Sequence, residues 1–202
     1  MTRFYIWRFL RRNKGYRYEF YDDARVDAFM KEHFDERTFK AYLRLQIGAA
    51  KADFFRYAVL YIFGGVYVDL DSDIVGRLDK YIKEEDSALI TVENGKLYYA
   101  QWALIFDKGH PFLKRTIDYI VDYIEQNKFT DDVHKLTGPT VYTKAIKDEI
   151  EANPHVSYRV IPNDYKGLFQ FKYKLAKKLI YWDKSQHWKA LQKQIPVVKP
   201  EE

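Results

Sequence analysis

The sequence predicts an α/β fold in which helices and strands alternate along the chain. Three observations predict it. Several segments repeat apolar residues at steps of three and four, which is typical of amphipathic helices. Short apolar runs between turn-forming residues are typical of buried strands. No repeat or low-complexity tract interrupts this alternation. At 202 residues with 47% apolar residues, we expect one domain over residues 1–202.

The elements are predicted in order from these patterns. Residues 16–20 alternate and predict a strand, and residues 22–34 predict a short helix with an aspartate N-cap. A long apolar stripe predicts one helix over residues 39–63, which Gly64 and Gly65 end. Beyond it we predict strands at 66–70, 87–93 and 156–162 and helices at 110–126 and 137–150, while 96–106 fits either and the tail is partly helical.

Composition limits the classes of function. The chain has no cysteine, which excludes disulfides, thiolate metal sites and cysteine nucleophiles. It has no run of about 18 apolar residues and no signal-peptide pattern at its start, so we expect a soluble, cytoplasmic protein. The 18 Tyr, 14 Phe and 4 Trp suit a large core, and tyrosines also line ligand clefts.

Positive charge is concentrated at both ends of the chain, around an acidic middle. Residues 1–20 carry six Arg and Lys against one Glu, and residues 166–199 carry nine Lys against one Asp. The basic, aromatic-rich segment from about residue 166 fits a solvated helix face or docking on an anionic membrane. Nucleic acid is not expected as a partner, because no base-reading motif is present.

Three aspartates, Asp69, Asp71 and Asp73, lie at the end of the predicted strand at 66–70 and just beyond it. Strand alternation places Val66, Val68 and Leu70 on one face, and Tyr67, Asp69 and Asp71 on the other. Two carboxylates on one face repel each other unless a cation lies between them. Oxygen ligands favour Mg²⁺ or Mn²⁺, which commonly completes its shell with water and phosphates, so a diphosphate ligand is expected. Asp73 is two residues beyond Asp71, so strand alternation places it on the same face, where we expect it to support the metal ligands or to form the turn.

Other interpretations of these aspartates stay open. They could simply cap a turn, where Asp is common. An EF-hand loop is set aside, because Ile74 and Lys80 stand where it needs Gly and Glu. The run VYVDLDSD also resembles the haloacid-dehalogenase-type phosphatases, in which Asp69 would be the nucleophile; that family carries Thr or Val at the position of Asp73.

The preceding helix adds a polar surface. Asp53, Arg56 and Tyr57 are spaced i, i+3 and i+4, so they are neighbours on one helical face. An Asp–Arg pair at this spacing is also common as an ordinary solvated pair. Residues 49–71 combine this face, the double glycine and the aspartate-tipped strand within one short segment.

That segment resembles the signature of the DXD-containing sugar transferases, glycosyltransferase family 32 and its relatives. The positions that match are Ala49, Asp53, Arg56, Tyr57, Leu60, Tyr61, Gly64, Gly65, Tyr67, Asp69 and Asp71. Outside it, residues 7–23, GHP at 109–111 and TGP at 137–139 match the family in order, so the resemblance covers about residues 7–188.

The resemblance implies a GT-A type, Rossmann-like domain that binds a nucleotide-sugar. By it, Asp71 is the main ligand of Mn²⁺ or Mg²⁺, Asp69 contacts metal-bound water or the donor, and both count as catalytic. Asp53, Arg56 and Tyr67 bind the donor. The donor is a UDP-hexose or GDP-mannose, and the acceptor is a glycan or lipid-linked glycan with the anomeric configuration retained.

The chain departs from the family pattern in three places. The family's opening strand, of the type I-P-K-I-I-H-x-x-W, is absent; either the chain starts after it or Phe4–Trp7 takes its place. His187 is a candidate for the family's late histidine ligand. Gln101 or Trp102 occupies the position of a donor-facing asparagine, with Trp102 favoured as a core residue. A catalytically degenerate nucleotide-sugar-binding module is therefore the alternative function.

Overall fold

The computed structural model describes residues 2–93, 97–162, 165, 167–171 and 188–200. Its helices are α1 Thr2–Arg12, α2 Asp23–His33, α3 Glu36–Leu43, α4 Gly48–Phe63, α5 Pro111–Glu125, α6 Val133–Leu136, α7 Pro139–Ala152 and α8 Trp188–Leu191. Its strands are β1 Gly65–Val68, β2 Ser72–Ile74, β3 Ala88–Thr91, β4 Ala103–Phe106, β5 Arg159–Ile161 and β6 Phe169–Phe171. The predicted α/β class is confirmed.

The central sheet has the strand order β1-β4-β3-β5. Strand β4 pairs antiparallel with both β1 and β3, whereas β3 and β5 are parallel. A second, two-stranded sheet joins β2 to β6. The parallel strands β3 and β5 are joined by a connection that runs through β4 and helices α5 to α7. Parallel strands require a long crossover connection of this kind.

Both faces of the central sheet are covered. On one face, Ile90, Leu104 and Phe106 pack into a core with α4, α5 and α7. On the other face, Leu89 and Ile105 pack against a smaller core that the residues around β2 and β6 contribute. Because consecutive strand residues point to opposite faces, the continuous apolar run Ala103–Phe106 supplies both cores at once.

The turn between α4 and β1 depends on glycine. Gly64 caps the helix, its amide donating to the carbonyl of Leu60 at 2.8 Å, and its φ is +68°. A Cβ at Gly64 would lie 2.7 Å from the backbone nitrogen of Lys108, so any side chain there would collide with backbone. The predicted end of the helix at Gly64 and Gly65 is confirmed, and it sets where β1 begins.

Several predicted elements are confirmed. The short helix with its aspartate cap is α2, where the carboxylate of Asp22 accepts from the amide of Arg25 at 2.9 Å. The proline-led helix at 110–126 is α5, and the helix at 137–150 is α7. The strands predicted at 66–70, 87–93 and 156–162 are present in shorter form, and the ambiguous 96–106 segment ends in β4.

Three predicted elements are wrong. Residues 16–20 form no strand, and residues 4–7 lie within helix α1, so they do not replace an opening strand. The long helix predicted at 39–63 is two helices. Between them, the amide of Gln46 donates to the carbonyl of Val197 at 2.9 Å, and Leu45 forms a β-bridge with Val198. This pairing with distant backbone replaces the helical hydrogen bonds at the break.

None of the described helices is both long and apolar enough to cross a bilayer.

Candidate functional site

The aspartate loop starts where β1 ends. The amide of Asp69 donates to the carbonyl of Trp102 at 3.0 Å, and the carbonyl of Asp69 accepts from the amide of Ser72 at 2.8 Å. These bonds hold both sides of a tight turn that carries Asp69, Leu70 and Asp71. The predicted placement of Leu70 on the strand face of Val66 and Val68 is wrong, because β1 stops at Val68 and Leu70 lies in the turn, 62% exposed.

Helix α4 places a buried arginine beneath this loop. The Nη2 atom of Arg56 lies 2.9 Å from Oδ1 of Asp53 and 3.1 Å from Oδ1 of Asp69. The side chains of Arg56 and Asp53 are almost completely buried. The interpretation of Asp53 and Arg56 as an ordinary solvated helix pair is therefore wrong, since the arginine joins α4 to the aspartate loop in the interior.

Gln101 and Tyr67 complete the contacts around the arginine. Nη1 of Arg56 donates to the backbone carbonyl of Gln101 at 3.0 Å, and the Gln101 side-chain amide donates to Oδ1 of Asp53 at 3.2 Å. The hydroxyl of Tyr67 donates to Oδ1 of Asp69 at 3.1 Å, and the guanidinium lies 5.3 Å from the centre of its ring. Five of the predicted site residues are thus in one connected network.

Sequence reasoning missed Thr137 as a member of this network. Its hydroxyl donates to Oδ2 of Asp53 at 3.1 Å, and its carbonyl accepts from the hydroxyl of Tyr57 at 3.2 Å. The Tyr57 hydroxyl also contacts the side-chain oxygen of Gln101. The signal was present in the TGP segment that begins at Thr137, but its partner lies 84 residues earlier and the spacing alone did not indicate it.

Burial and charge together set the electrostatics of the network. Burial raises the pKa of Asp53 to about 7, against the opposing effect of Arg56. Burial also raises the pKa of Asp69, Arg56 lowers it, and the charge of Asp71 raises it again. Burial opposes the charge on Arg56, yet Asp69 and Asp53 keep its pKa above the ordinary value. The carboxylate of Asp69 therefore lies where an added cation would stabilise its ionised form.

The residues of the loop fit a metal that brings other ligands with it. Asp69 and Asp71 supply carboxylate oxygens close enough to repel each other, which suits Mg²⁺ or Mn²⁺. Within the described ranges, no three His, Cys, Asp or Glu side chains come together as a metal site. A cation held by these two aspartates would thus take its remaining ligands from water and phosphate oxygens.

Asp73 differs from its predicted position. It lies in β2, buried, where its carboxylate pairs with Arg8 of α1 and accepts from the side chain of Gln170 at 3.3 Å. Parity placed Asp73 on the face of Asp69 and Asp71, but the turn between β1 and β2 breaks the alternation. Asp73 therefore fixes α1 to the second sheet.

The remaining candidates divide between described and undescribed residues. Trp102 packs edge-on against Tyr165 and Phe169 at ring-centre distances of 6.3 and 6.0 Å, as expected of a core residue. His187 lies outside the described residues, as does most of the basic segment from about residue 166.

Comparison with known proteins points to one family. Residues 2–88 match the family model described as the glycosyltransferase sugar-binding region containing a DXD motif. An uncharacterized glycosyltransferase of Acanthamoeba polyphaga mimivirus is 28% identical over 162 residues, which cover 77% of this chain and 61% of that protein. The initiation-specific alpha-1,6-mannosyltransferase of Schizosaccharomyces pombe is 28% identical, covering 73% of this chain and 43% of that protein.

The chain spans less than two thirds of the length of these curated relatives. Among solved structures, the PaToxG glycosyltransferase aligns with a TM-score of 0.48 and 24% identity, over 65% of this chain and 45% of that one. The resemblance to the DXD-containing glycosyltransferases that the sequence indicated is confirmed, since residues 2–88 of this chain match that family's sugar-binding region.

Proposed function

We propose that this site binds a nucleotide-sugar, a UDP-hexose or GDP-mannose, through Mn²⁺ or Mg²⁺ and transfers the hexose to a glycan or lipid-linked acceptor. One observation carries the proposal: buried Arg56 holds Asp69 at 3.1 Å, at the start of a loop that presents two carboxylates. The loop and the arginine both lie within the matched residues 2–88. The proposal includes that the donor binds as it does in GT-A type domains.

The residues of the chain would divide the work. Asp69 and Asp71 would hold the cation, which when bound would neutralise negative charge on the departing nucleoside diphosphate. Arg56 and Tyr67 fix the orientation of Asp69 through its Oδ1 atom. Asp53 and Gln101, which the family resemblance assigns to the donor, hold each other and Arg56 in place beneath the loop. His187 remains a proposed additional ligand.

We further propose that the anomeric configuration is retained. The family resemblance supports retention, and because we assign no residue of the network as a nucleophile, retention would require the incoming hydroxyl to attack from the face that the phosphate leaves. Nuclear magnetic resonance of the first product formed distinguishes the outcomes. An inverted anomeric centre would contradict this mechanism without affecting the proposed donor binding.

Calorimetric titration with a panel of nucleotide-sugars, with and without Mn²⁺, tests the proposed function. We expect binding of one donor that requires the metal. Asp71→Asn should abolish the metal-dependent part, because the loop would keep one carboxylate. Asp79→Asn is the matched control, since it removes an exposed carboxylate nearby in sequence. Equal affinity in the two variants, or no metal-dependent binding of any donor, would reject the proposal.

A degenerate binding module is the second candidate. The late histidine segment, which departs from the family pattern and leaves His187 as the candidate ligand, motivates it. Donor hydrolysis or transfer under conditions of saturated binding separates the two functions. Binding with no turnover in the presence of varied glycan acceptors would support the module.

A further inference from the structure

Helix α1 exposes a row of large apolar side chains. Phe4, Trp7 and Leu10 are 57%, 54% and 38% exposed, although each lies within a well-formed helix. The rings of Phe4 and Trp7 stack with their centres 6.1 Å apart. Single exposed apolar residues are common, but a stacked aromatic pair continued by a leucine forms a contiguous patch.

Arginines share the exposed face of α1. At 100° per residue, Arg3 and Arg11 fall within the same arc as Phe4, Trp7 and Leu10, and both arginines are exposed. The guanidinium of Arg11 lies 5.4 Å from the ring of Trp7. The helix contains no acidic residue. Its outer face is therefore aromatic and positively charged together.

The opposite side of α1 is anchored to the segment that follows the aspartate loop. Arg8 pairs with Asp73, and Nη1 of Arg12 donates to the carbonyl of Val75 at 2.7 Å. Just beyond the helix, the side-chain oxygen of Asn13 accepts from the amide of Leu78 at 2.8 Å. These contacts attach α1 to the segment after the aspartate loop, and Asp73 is only two residues from Asp71.

We propose that the exposed face of α1 docks on the surface of an anionic lipid bilayer. Helices that lie in the interfacial plane combine Trp, Phe and Leu with Arg and Lys, which bind acyl-chain boundaries and anionic headgroups respectively. Charge complementarity selects the anionic surface, because every charged residue of α1 is an arginine. An 11-residue helix is about 16 Å long, which suits lying on a bilayer and not crossing it.

What docking would do for the reaction rests on the proposed function. Docking through α1 would hold the aspartate loop close to the lipid surface, because the pair Arg8–Asp73 joins the helix to the strand that follows the loop. Leu70 projects from that loop, 62% exposed. The acceptor class favoured by this arrangement is a glycan carried on a membrane lipid.

Site-specific labelling tests the docking surface directly. The chain has no cysteine, so Phe4→Cys gives one attachment point for an environment-sensitive fluorophore. Phe129→Cys is the control, because Phe129 is also an exposed aromatic residue but lies outside α1. We expect the label at position 4 to shift to the blue with phosphatidylglycerol-containing vesicles, and not with pure phosphatidylcholine. The control label should not shift.

Partitioning onto vesicles measures the contribution of each component. Replacing Phe4 and Trp7 by serine should lower partitioning at least tenfold, whereas replacing exposed Leu97 and Phe129 by serine should leave it unchanged. Arg3→Gln and Arg11→Gln should each lower it about fivefold at low salt. Circular dichroism of each variant verifies that the fold is retained.

Two outcomes would overturn the proposal. One is equal partitioning of the serine variants and the unmodified chain. The other is a blue shift at position 4 that follows protein concentration in the absence of lipid, which would mean that a second copy covers the face. Donor binding is measured in solution without vesicles, so failure of the proposed function and failure of docking give different results.

Discussion

Two arginines in this protein each contact two carboxylates, in opposite surroundings. Arg56 contacts Asp53 and Asp69 at 2.9 and 3.1 Å, with 6% of its side chain exposed. Arg37 contacts Asp122 and Glu125, both at 2.6 Å, with 52% exposed. The exposed contacts are the shorter ones. The contact distances alone therefore do not tell which cluster contributes more to stability.

Burial ranks them. Water and salt screen the Arg37 cluster, so forming it gains little over leaving the same groups solvated. Within the Arg56 cluster, Arg56 and Asp53 have lost almost all of their water, so removing either one leaves the other as a buried charge without its partner. The buried cluster is also the one that orients Asp69, which connects its integrity to the proposed donor site.

Arg56→Met gives the largest expected effect. The substitution should lower the free energy of unfolding by about 3–5 kcal/mol, because buried Asp53 loses its cationic partner and Asp69 loses its link to α4. Urea denaturation followed by circular dichroism measures it. A loss below about 1 kcal/mol would place Arg56 with the solvated pairs and remove the contrast between the clusters.

Thr137→Val sharpens the contrast within the interior. Its hydroxyl donates to the carboxylate of Asp53, so we expect a loss of about 2 kcal/mol at pH 8, where Asp53 is ionised. Thr116→Val is the matched control: that hydroxyl is equally buried but donates to a neutral carbonyl, of Phe112, at 2.6 Å. The control should lose about 1 kcal/mol. Equal losses would mean that the charge of Asp53 adds nothing.

The sequence predicted the local parts of this site and missed the distant ones. Asp53 and Arg56 were visible as neighbours because helical spacing is regular. The contact of Arg56 with Asp69 was not predicted, since no periodicity spans the double-glycine turn and the family resemblance assigned both residues to the donor site without joining them. Thr137 was missed because its partner lies on a helix far away in sequence.

The fold shows the same division. Alternation correctly separated Tyr67 from Val66 and Val68, and it failed for Leu70 and Asp73 because β1 ends at Val68. The break between α3 and α4 depends on backbone bonds to residues 197 and 198, which no pattern around residue 45 indicates.

His110 is a buried polar group outside the site, and it gives a pH-dependent prediction. Its Nδ1 accepts from the amide of Phe112 at 3.2 Å, while Nε2 donates to the carbonyl of Ser157 at 3.0 Å. The Nδ1 bond needs the neutral ring, because a protonated Nδ1 cannot accept, whereas the Nε2 bond is compatible with either form. Burial lowers the pKa of His110 below its ordinary 6.5, so the unfolded chain binds the proton first and stability falls as the pH drops below about 6.5.

His110→Asn should keep the N-cap and lose the bond to Ser157, at a cost of about 1 kcal/mol at pH 7.5. The stability difference between the unmodified chain and this variant should shrink by pH 5.5, because asparagine does not titrate. Urea denaturation of both proteins at the two pH values measures it. A difference that is constant with pH would contradict the assignment of a neutral, capping histidine.

Arg37→Met should have the smallest effect, less than about 1 kcal/mol, and added salt should remove most of it. The exposed arginine leaves Asp122 and Glu125 to be solvated by water, so no buried charge results. Denaturation in 0.1 M and 1 M sodium chloride measures the salt dependence. If Arg37→Met cost as much as Arg56→Met, then contact distance and not burial would govern both clusters, and the orientation of Asp69 would need another explanation.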